Sequence, residues 1–145
     1  MTIVAPRAQF KTADELKDYH YCVPKTSNFA DVDAVIKKAA VTAVFQMTIT
    51  DDHPYVCTRL QENIGYEEPD YPHGVPFFYV VPEDIFHKFN YQKAFKEETE
   101  TGTTDGKKRK KRKIAASLKE DVFVQYVMCL DADKLESRLY GGGLK

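Results

Sequence analysis

Three polar side chains on two neighbouring predicted strands could take part in metal-dependent hydrolysis. Asp33 lies on a strand predicted over residues 32–37, and Gln46 and Thr48 lie on the next one, over residues 41–49. Because residues i and i+2 of a strand share a face, antiparallel neighbours bring Asp33 beside this pair. Where an acid faces an acid–any–lysine triplet, the carboxylates hold Mg²⁺ next to a scissile phosphate, and the lysine supplies a cation. The spacing therefore matches a phosphodiester hydrolase with Asp33 as its metal ligand.

The charges that this chemistry needs are missing at two of the three positions. Gln46 offers a neutral carbonyl where Mg²⁺ prefers a carboxylate, and Thr48 cannot supply a positive charge. We therefore interpret the positions as vestigial, with Asp33 a weak metal ligand at best. One alternative is an active Mg²⁺ site completed by Glu15 or Asp52. The other is an ordinary sheet, in which Asp33 faces solvent and the two neutral side chains cross-link the buried face.

Asp51, Asp52 and His53 form a second candidate acid–base cluster. They immediately precede a helix predicted from about Pro54 to Gly65. Aspartate is favoured at a helix N-cap, and proline is tolerated in a first helical turn. The ordinary role of this cluster is therefore helix capping.

Seven consecutive basic residues stand apart from the rest of the chain: Lys107, Lys108, Arg109, Lys110, Lys111, Arg112 and Lys113. They are a third of the 21 basic residues, and without them 14 basic residues face 22 acidic ones, a formal charge of -8. An acidic body is a poor surface for phosphates, so nucleic-acid contacts would fall to this run. The run fits a nuclear-import signal or a phosphate-binding segment without sequence preference. The remaining interpretation is a solvated loop with no partner.

The periodicity predicts one α/β (α+β) domain over residues 1–145, with a mixed central sheet flanked by helices. Its core has the order α-β-β-β-α-β, predicted over residues 12–17, 19–23, 32–37, 41–49, 54–64 and 75–81. The apolar run over residues 75–81 predicts a strand buried on both faces. A short helix follows over residues 83–89, then a mobile basic loop over about 96–115, a strand over 122–130 and a terminal helix to Arg138.

Targeting and cysteine signals favour an intracellular protein. No apolar run approaches the roughly 20 residues that span a bilayer, and the N-terminus carries no secretory-signal pattern. Cys22, Cys57 and Cys129 are odd in number and set in apolar surroundings. We therefore expect reduced core thiols and no membrane partner.

Four sequence blocks carry a family resemblance. They read YHYCVPKTSNFADVDAV, VFQMTITDDHP, VPFFYVVPEDIFHKF and VFVQYVMCL. Together they resemble the C-terminal region of the retrotransposon hot spot proteins of trypanosomatids, which are similar to the Crinkler-type effectors of oomycetes and fungi. The resemblance implies a restriction-endonuclease-like domain of the PD-(D/E)xK type. It places Asp33 at the metal-binding acid, and Gln46 and Thr48 at the triplet.

The resemblance also sets expectations about partners and cellular location. Such domains usually follow a P-loop NTPase domain, but this chain has no GxxxxGK[ST] loop, so nucleotide hydrolysis is not implied. Family members are often nuclear, in agreement with the basic run. We expect a weak or inactive nuclease-like module in the nucleus, bound by an import receptor and by nucleic acid without sequence preference, and without a cofactor. The alternatives are an active Mg²⁺-dependent nuclease, a non-functional truncated copy of a family member, and a cytoplasmic location.

Overall fold

A mixed six-stranded sheet dominates the computed structural model, which describes residues 6–26, 29, 31–38, 41–67, 73–99, 110–114 and 122–131. The strands are β1 (Arg7–Phe10), β2 (Tyr21–Pro24), β3 (Ala34–Lys38), β4 (Val41–Met47), β5 (Tyr55–Val56), β6 (Val75–Pro82), β7 (Ala94–Thr99), β8 (Lys110–Ile114) and β9 (Phe123–Leu130). The helices are α1 (Cys57–Ile64) and α2 (Glu83–Phe86), and a 3-10 turn covers Ala13–Glu15.

The six-stranded sheet has the order β1-β2-β3-β4-β6-β9. Strands β2, β3 and β4 form an antiparallel meander. The pairs β1–β2, β4–β6 and β6–β9 are parallel, and α1 provides the crossover between β4 and β6. The prediction of an α+β chain with a mixed central sheet is confirmed, although the helices are few and short.

One face of the sheet carries the core. Val44 on β4 and Phe77, Tyr79 and Val81 on β6 are buried there, and Leu60 of α1 belongs to the same cluster. The even-numbered side chains of β6 are only half-buried. The prediction that β6 is buried on both faces is therefore wrong, because its burial alternates along the strand.

Two prolines limit the pairing of β6. Alternate residues of a parallel strand bond to opposite neighbours, and Val80 O accepts the Thr48 N–H at 3.1 Å on the β4 side. Pro76 and Pro82 share this parity, so their missing N–H groups fall on the β4 side of β6. Pairing with β4 starts at Phe77 and ends at Val80, whereas pairing with β9 covers all eight residues. The prolines therefore lie where they cost no ladder bond.

Helix α1 ends as the sequence predicts. Gly65 has a φ of 63°, a left-handed conformation that glycine adopts without strain. A Cβ atom there would approach Ala13 Cβ to 2.9 Å. Glycine therefore both ends α1 and lets the 3-10 turn pack against it.

The N-terminal region differs from the prediction. The first helix is only the 3-10 turn, and Thr12 makes no side-chain cap bond. Strand β1 was not predicted, because its parallel pairing with β2 lies across 14 positions in sequence, as in Arg7 opposite Tyr21. Local patterns carry no information about such a partner.

The loop predicted over about 96–115 is replaced at both ends by strands. β7 and β8 pair antiparallel, and β5 joins β7 in a separate three-stranded sheet. These strands were not predicted because most of their residues are charged and do not alternate between polar and apolar. Cross-strand pairing stabilises them instead. The predicted terminal helix lies outside the described residues.

The cysteines separate into two groups. Cys22 and Cys57 are buried and form no disulfide, as expected, whereas Cys129 on β9 is exposed. The prediction of a core thiol is therefore wrong for Cys129, because β9 is the outermost strand of the large sheet.

Candidate functional site

Asp33 lies just before β3 and holds the end of β4. Its backbone N–H donates to Phe45 O at 2.9 Å. Its carboxylate Oδ2 accepts the backbone N–H of Met47 at 2.7 Å. The side chain thus takes the place of a carbonyl where the β3–β4 ladder stops. One oxygen of the proposed metal ligand is therefore already engaged in the fold.

Gln46 and Thr48 lie on the buried side of β4 and its extension. Each is 8% exposed, and both follow the buried Val44 at steps of two residues. Gln46 Nε2 donates to Met47 O at 3.3 Å, but its buried Oε1 has no hydrogen-bond partner among the described residues. Both amide atoms of a buried glutamine normally have partners, so this oxygen is the unusual atom of the site.

Thr48 builds the turn that follows β4. Its Oγ1 accepts the Thr50 N–H at 3.1 Å and lies 3.0 Å from Thr50 Oγ1. The Thr50 hydroxyl in turn donates to Asp52 O at 3.1 Å. Where the triplet pattern would have a lysine, this chain thus has a hydroxyl used for local backbone structure.

The three predicted site residues lie near the same end of the β3–β4 strand pair but differ in solvent exposure. Asp33 is exposed, whereas Gln46 and Thr48 are buried. Among the hydrogen bonds of the described residues, none joins the Asp33 carboxylate to either side chain. The Asp33 carboxylate instead accepts the backbone N–H of Met47, which lies between Gln46 and Thr48 in sequence.

Glu15, the candidate third acid, is engaged elsewhere. Its Oε2 accepts the Lys11 N–H at 2.7 Å and the Lys25 ammonium at 3.1 Å. The hydrogen bond from Lys25, followed by that from Lys11, holds the pKa of Glu15 below its usual value. Glu15 therefore ties the 3-10 turn to the end of β2.

The capping prediction for Asp51, Asp52 and His53 is wrong. Helix α1 starts at Cys57, its N-cap is Val56, and no side chain caps it there. The residues between Asp52 and the helix include the short strand β5, which moves the helix start away from the cluster. Strand β5 could not be predicted from helix-capping preferences because its partner, β7, lies about 40 positions later in the sequence.

A different acid contacts the residue at the helix start. Asp31 Oδ2 accepts the Val56 N–H at 3.3 Å. Asp31 has a φ of 64°, a conformation that aspartate tolerates better than most residues. Asp31 and Asp33 therefore fix two neighbouring segments to β3, one through Val56 and one through Met47.

A buried amide network holds the segment after β4. Gln92, which is 3% exposed, accepts the His53 N–H and donates to Asp51 O at 3.0 Å and Asn90 O at 2.7 Å. The Gln125 side chain bonds the Gln92 N–H and carbonyl, both at 2.9 Å.

Two tyrosines extend this network into the core. Gln125 Nε2 donates to Tyr55 Oη at 3.3 Å, and Tyr79 Oη donates to His53 O at 3.0 Å. Sequence reasoning missed the network. The one available signal was Gln125, the only polar side chain in the run VFVQYVMCL.

The basic run is divided between described and undescribed residues. Its first three members, Lys107, Lys108 and Arg109, lie outside the described residues. The other four form most of β8, opposite Thr99, Glu98, Glu97 and Lys96 of β7.

Glu97 on β7 already has a cationic partner. Its carboxylate forms an ion pair with Arg59 of α1, and its backbone N–H donates to Thr58 Oγ1 at 3.3 Å. Glu97, which is opposite Arg112 in the strand register, is therefore already paired with Arg59, and by formal count β7 and β8 carry five basic residues against two acids.

Neither a metal-binding cluster nor a match to a known protein identifies the chemistry of this site. Within the part of the chain that the structure describes, no group of three or more His, Cys, Asp or Glu residues is placed to hold a metal ion. None of the helices in that part is long and apolar enough to cross a bilayer. No family model, curated protein or solved structure matches the chain.

Proposed function

We propose that this chain is a degenerate, catalytically inactive nuclease-like domain of the retrotransposon hot spot/Crinkler type. Its role would be that of a nuclear interaction module that associates with nucleic acid. The observation that carries the proposal is the use of the three site positions. Asp33 serves as a ladder acceptor for Met47, and neutral Gln46 and Thr48 stand where the chemistry needs an acid and a cation.

The topology supports the restriction-endonuclease-like part of the proposal. The elements from the 3-10 turn to β6 follow the order α-β-β-β-α-β, apart from the two-residue strand β5. The meander β2-β3-β4 continues into β6, which is parallel to β4. The start of β3 lies opposite the end of β4, which is consistent with an acid before β3 and a triplet at the end of β4.

The charge distribution supports association with phosphates or with an import receptor. Strand β8 is the outer strand of the small sheet and holds four of the seven basic residues in an extended backbone. Only two acids lie opposite them on β7, and Glu97 is shared with Arg59. Binding would therefore be electrostatic and would weaken steeply with salt.

A plasmid-nicking assay with Mg²⁺ or Mn²⁺ tests the catalytic part of the proposal. We expect no nicking above background by the wild type. The matched variant is Asp33→Asn, which removes the charge but keeps an oxygen that can accept the Met47 N–H. Metal-dependent nicking that Asp33→Asn abolishes would establish the active-nuclease alternative instead.

Restoring the triplet tests whether the site is a degenerate one. The double variant Gln46→Glu, Thr48→Lys recreates an acid–any–lysine triplet beside Asp33. We expect Mn²⁺ to raise the Tm of this variant but not that of the wild type, because a ligand that binds only the folded state stabilises it. A double variant that folds but shows no Mn²⁺-dependent Tm shift would contradict the assignment of these positions.

Two charge variants test the binding part of the proposal. One replaces Lys107, Lys108 and Arg109 with glutamine, and the other replaces Lys110, Lys111, Arg112 and Lys113. Glutamine preserves chain length, so the β7–β8 pairing is less disturbed than by a deletion. We expect both variants to lower DNA affinity, to flatten its salt dependence and to reduce nuclear accumulation. Unchanged DNA binding and unchanged nuclear accumulation in both would refute this part.

A further inference from the structure

Strand β9 is the last strand of the six-stranded sheet within the part of the chain that the structure describes. It is the outermost strand beside β6 and runs for eight residues, FVQYVMCL, without a charge, proline or glycine. Proteins usually protect such edges with charged side chains, prolines, bulges or covering segments. No strand among the described residues pairs with the outer side of β9.

The outward backbone groups of β9 are identified by its register with β6. Val75 donates its N–H to Val122 O at 2.7 Å, so the even-numbered residues of β9 bond to β6. The backbone N–H and carbonyl groups of Gln125, Val127 and Cys129 therefore point away from the sheet. They form a row of donors and acceptors suited to another strand.

The side chains beside this row are apolar and exposed. Val124, Tyr126, Met128 and Leu130 are 40%, 47%, 44% and 44% exposed, and all lie on the same face. Tyr126 continues a row of stacked rings across three strands. The Phe45–Phe78 and Phe78–Tyr126 centroids are each 5.1 Å apart, with interplanar angles of 15° and 24°. Among the described residues, the row ends at Tyr126 on β9.

The charges of the outer strands favour β9 of a second copy as the partner for this edge. The other end of the large sheet is β1, which carries Arg7, and the outer strand β8 of the small sheet carries four basic residues. Two copies that met through β8 would bring like charges together, and β1 is only four residues long and offers few backbone groups. β9 is uncharged, so two β9 strands can pair without that repulsion.

We propose that β9 pairs antiparallel with β9 of a second copy and forms a homodimer. A two-fold axis normal to the sheet makes the two identical strands antiparallel and keeps each sheet face on its own side. Residues of the same parity then lie opposite each other. With the axis at Val127, Tyr126 faces Met128 of the second copy, and Gln125 faces its Cys129. The two sheets become one continuous sheet, and the ring rows of both copies approach each other. This association is separate from the proposed function.

Sedimentation-velocity measurements from low to high micromolar concentration, in reducing buffer, test the proposal. We expect a monomer–dimer equilibrium for the full chain. Met128→Lys should raise the dimer dissociation constant about tenfold or more, because lysine on an edge strand opposes pairing and the change occurs twice in a two-fold dimer. The matched control is Met47→Lys, an exposed methionine (53%) on the same face of the interior strand β4. It should leave the equilibrium unchanged.

Cys129→Pro tests the backbone part of the contact. Proline removes an outward N–H and no bond to β6, so circular dichroism should show an intact fold while dimerisation weakens. The proposal would be overturned by a chain that stays monomeric at every concentration, or by open-ended aggregates instead of a dimer. A dimer that persists in both Met128→Lys and Cys129→Pro, or that Met47→Lys disrupts instead, would also overturn it.

Discussion

Gln46 and Gln92 are both buried glutamines in the segments that surround the end of β4, but their amides are used differently. Gln92 bonds through both side-chain atoms to three backbone groups. Gln46 makes one bond of 3.3 Å, and its Oε1 has no partner within the part of the chain that the structure describes. Burying an amide is costly unless its atoms are bonded. The contrast gives Gln92 a clear role in stability, whereas the Gln46 amide is only partly bonded.

The largest expected effect is on the Gln92 side of this comparison. We expect Gln92→Ala to lower the free energy of unfolding by about 2–3 kcal/mol, because three backbone groups lose their partner. Urea unfolding followed by circular dichroism measures the change. The control, Gln9→Ala on the exposed surface of β1, should change stability by less than about 0.5 kcal/mol. If the two variants were equally stable, the network would not contribute as described.

Asp33 gives the second-largest effect and connects the predicted site to the fold. Asp33→Ala removes the acceptor for the Met47 N–H and should cost about 1 kcal/mol. Asp33→Asn keeps an acceptor oxygen and should cost less than half of that, as measured by the same unfolding experiment. Equal losses in both variants would mean that the charge, rather than the hydrogen bond, stabilises the folded state.

Gln46 gives a smaller effect, of opposite sign. Gln46→Leu has a similar volume and removes the unpartnered oxygen, so stability should stay the same or rise by up to about 1 kcal/mol. The measurement is again the urea midpoint, with Gln92→Leu as the matched amide-to-leucine control, which should be destabilised. A loss of more than about 1 kcal/mol in Gln46→Leu would show that this amide has bonds in solution that support the fold.

The smallest effect concerns Glu15, the acid that could have completed the site. Because the folded pKa of Glu15 lies below its unfolded value, its contribution is present above the ordinary pKa of a glutamate. That contribution is lost as the pH falls through the folded value. Glu15→Gln should therefore be less stable than the wild type at neutral pH, and the difference should shrink in acid. Urea midpoints at several pH values measure this, with the exposed Glu62→Gln as control. A pH-independent difference would contradict the ion-pair explanation.

The sequence predicted the elements whose signal is local. The apolar runs of β4, β6 and β9, and the helix that ends at Gly65, follow from periodicity and from glycine conformation. Strands β1, β7 and β8 were not predicted because they are short or highly charged. Their stability comes from pairing partners, and local propensity does not contain that information.

The sequence was sufficient to select the residues of the candidate site but not to predict their hydrogen-bond partners. Asp33, Gln46 and Thr48 could be selected because strand alternation fixes which residues share a face. The roles of Gln92 and Asp31 could not be predicted, since their bonds reach 39 and 25 positions along the chain. The capping prediction for Asp51 and Asp52 failed for a related reason: β5 occupies the space before α1 only because β7 pairs with it.

The alternation of backbone bonds along β6 makes that strand a reporter on each of its neighbours separately. With Pro76 and Pro82 lacking an N–H, Phe78 and Val80 carry the amides that face β4, whereas Val75 and the other odd-numbered residues face β9. Amide hydrogen exchange along this one strand would therefore follow two interfaces at once. Even-numbered amides would exchange when β4 separates, and odd-numbered amides would exchange when β9 does.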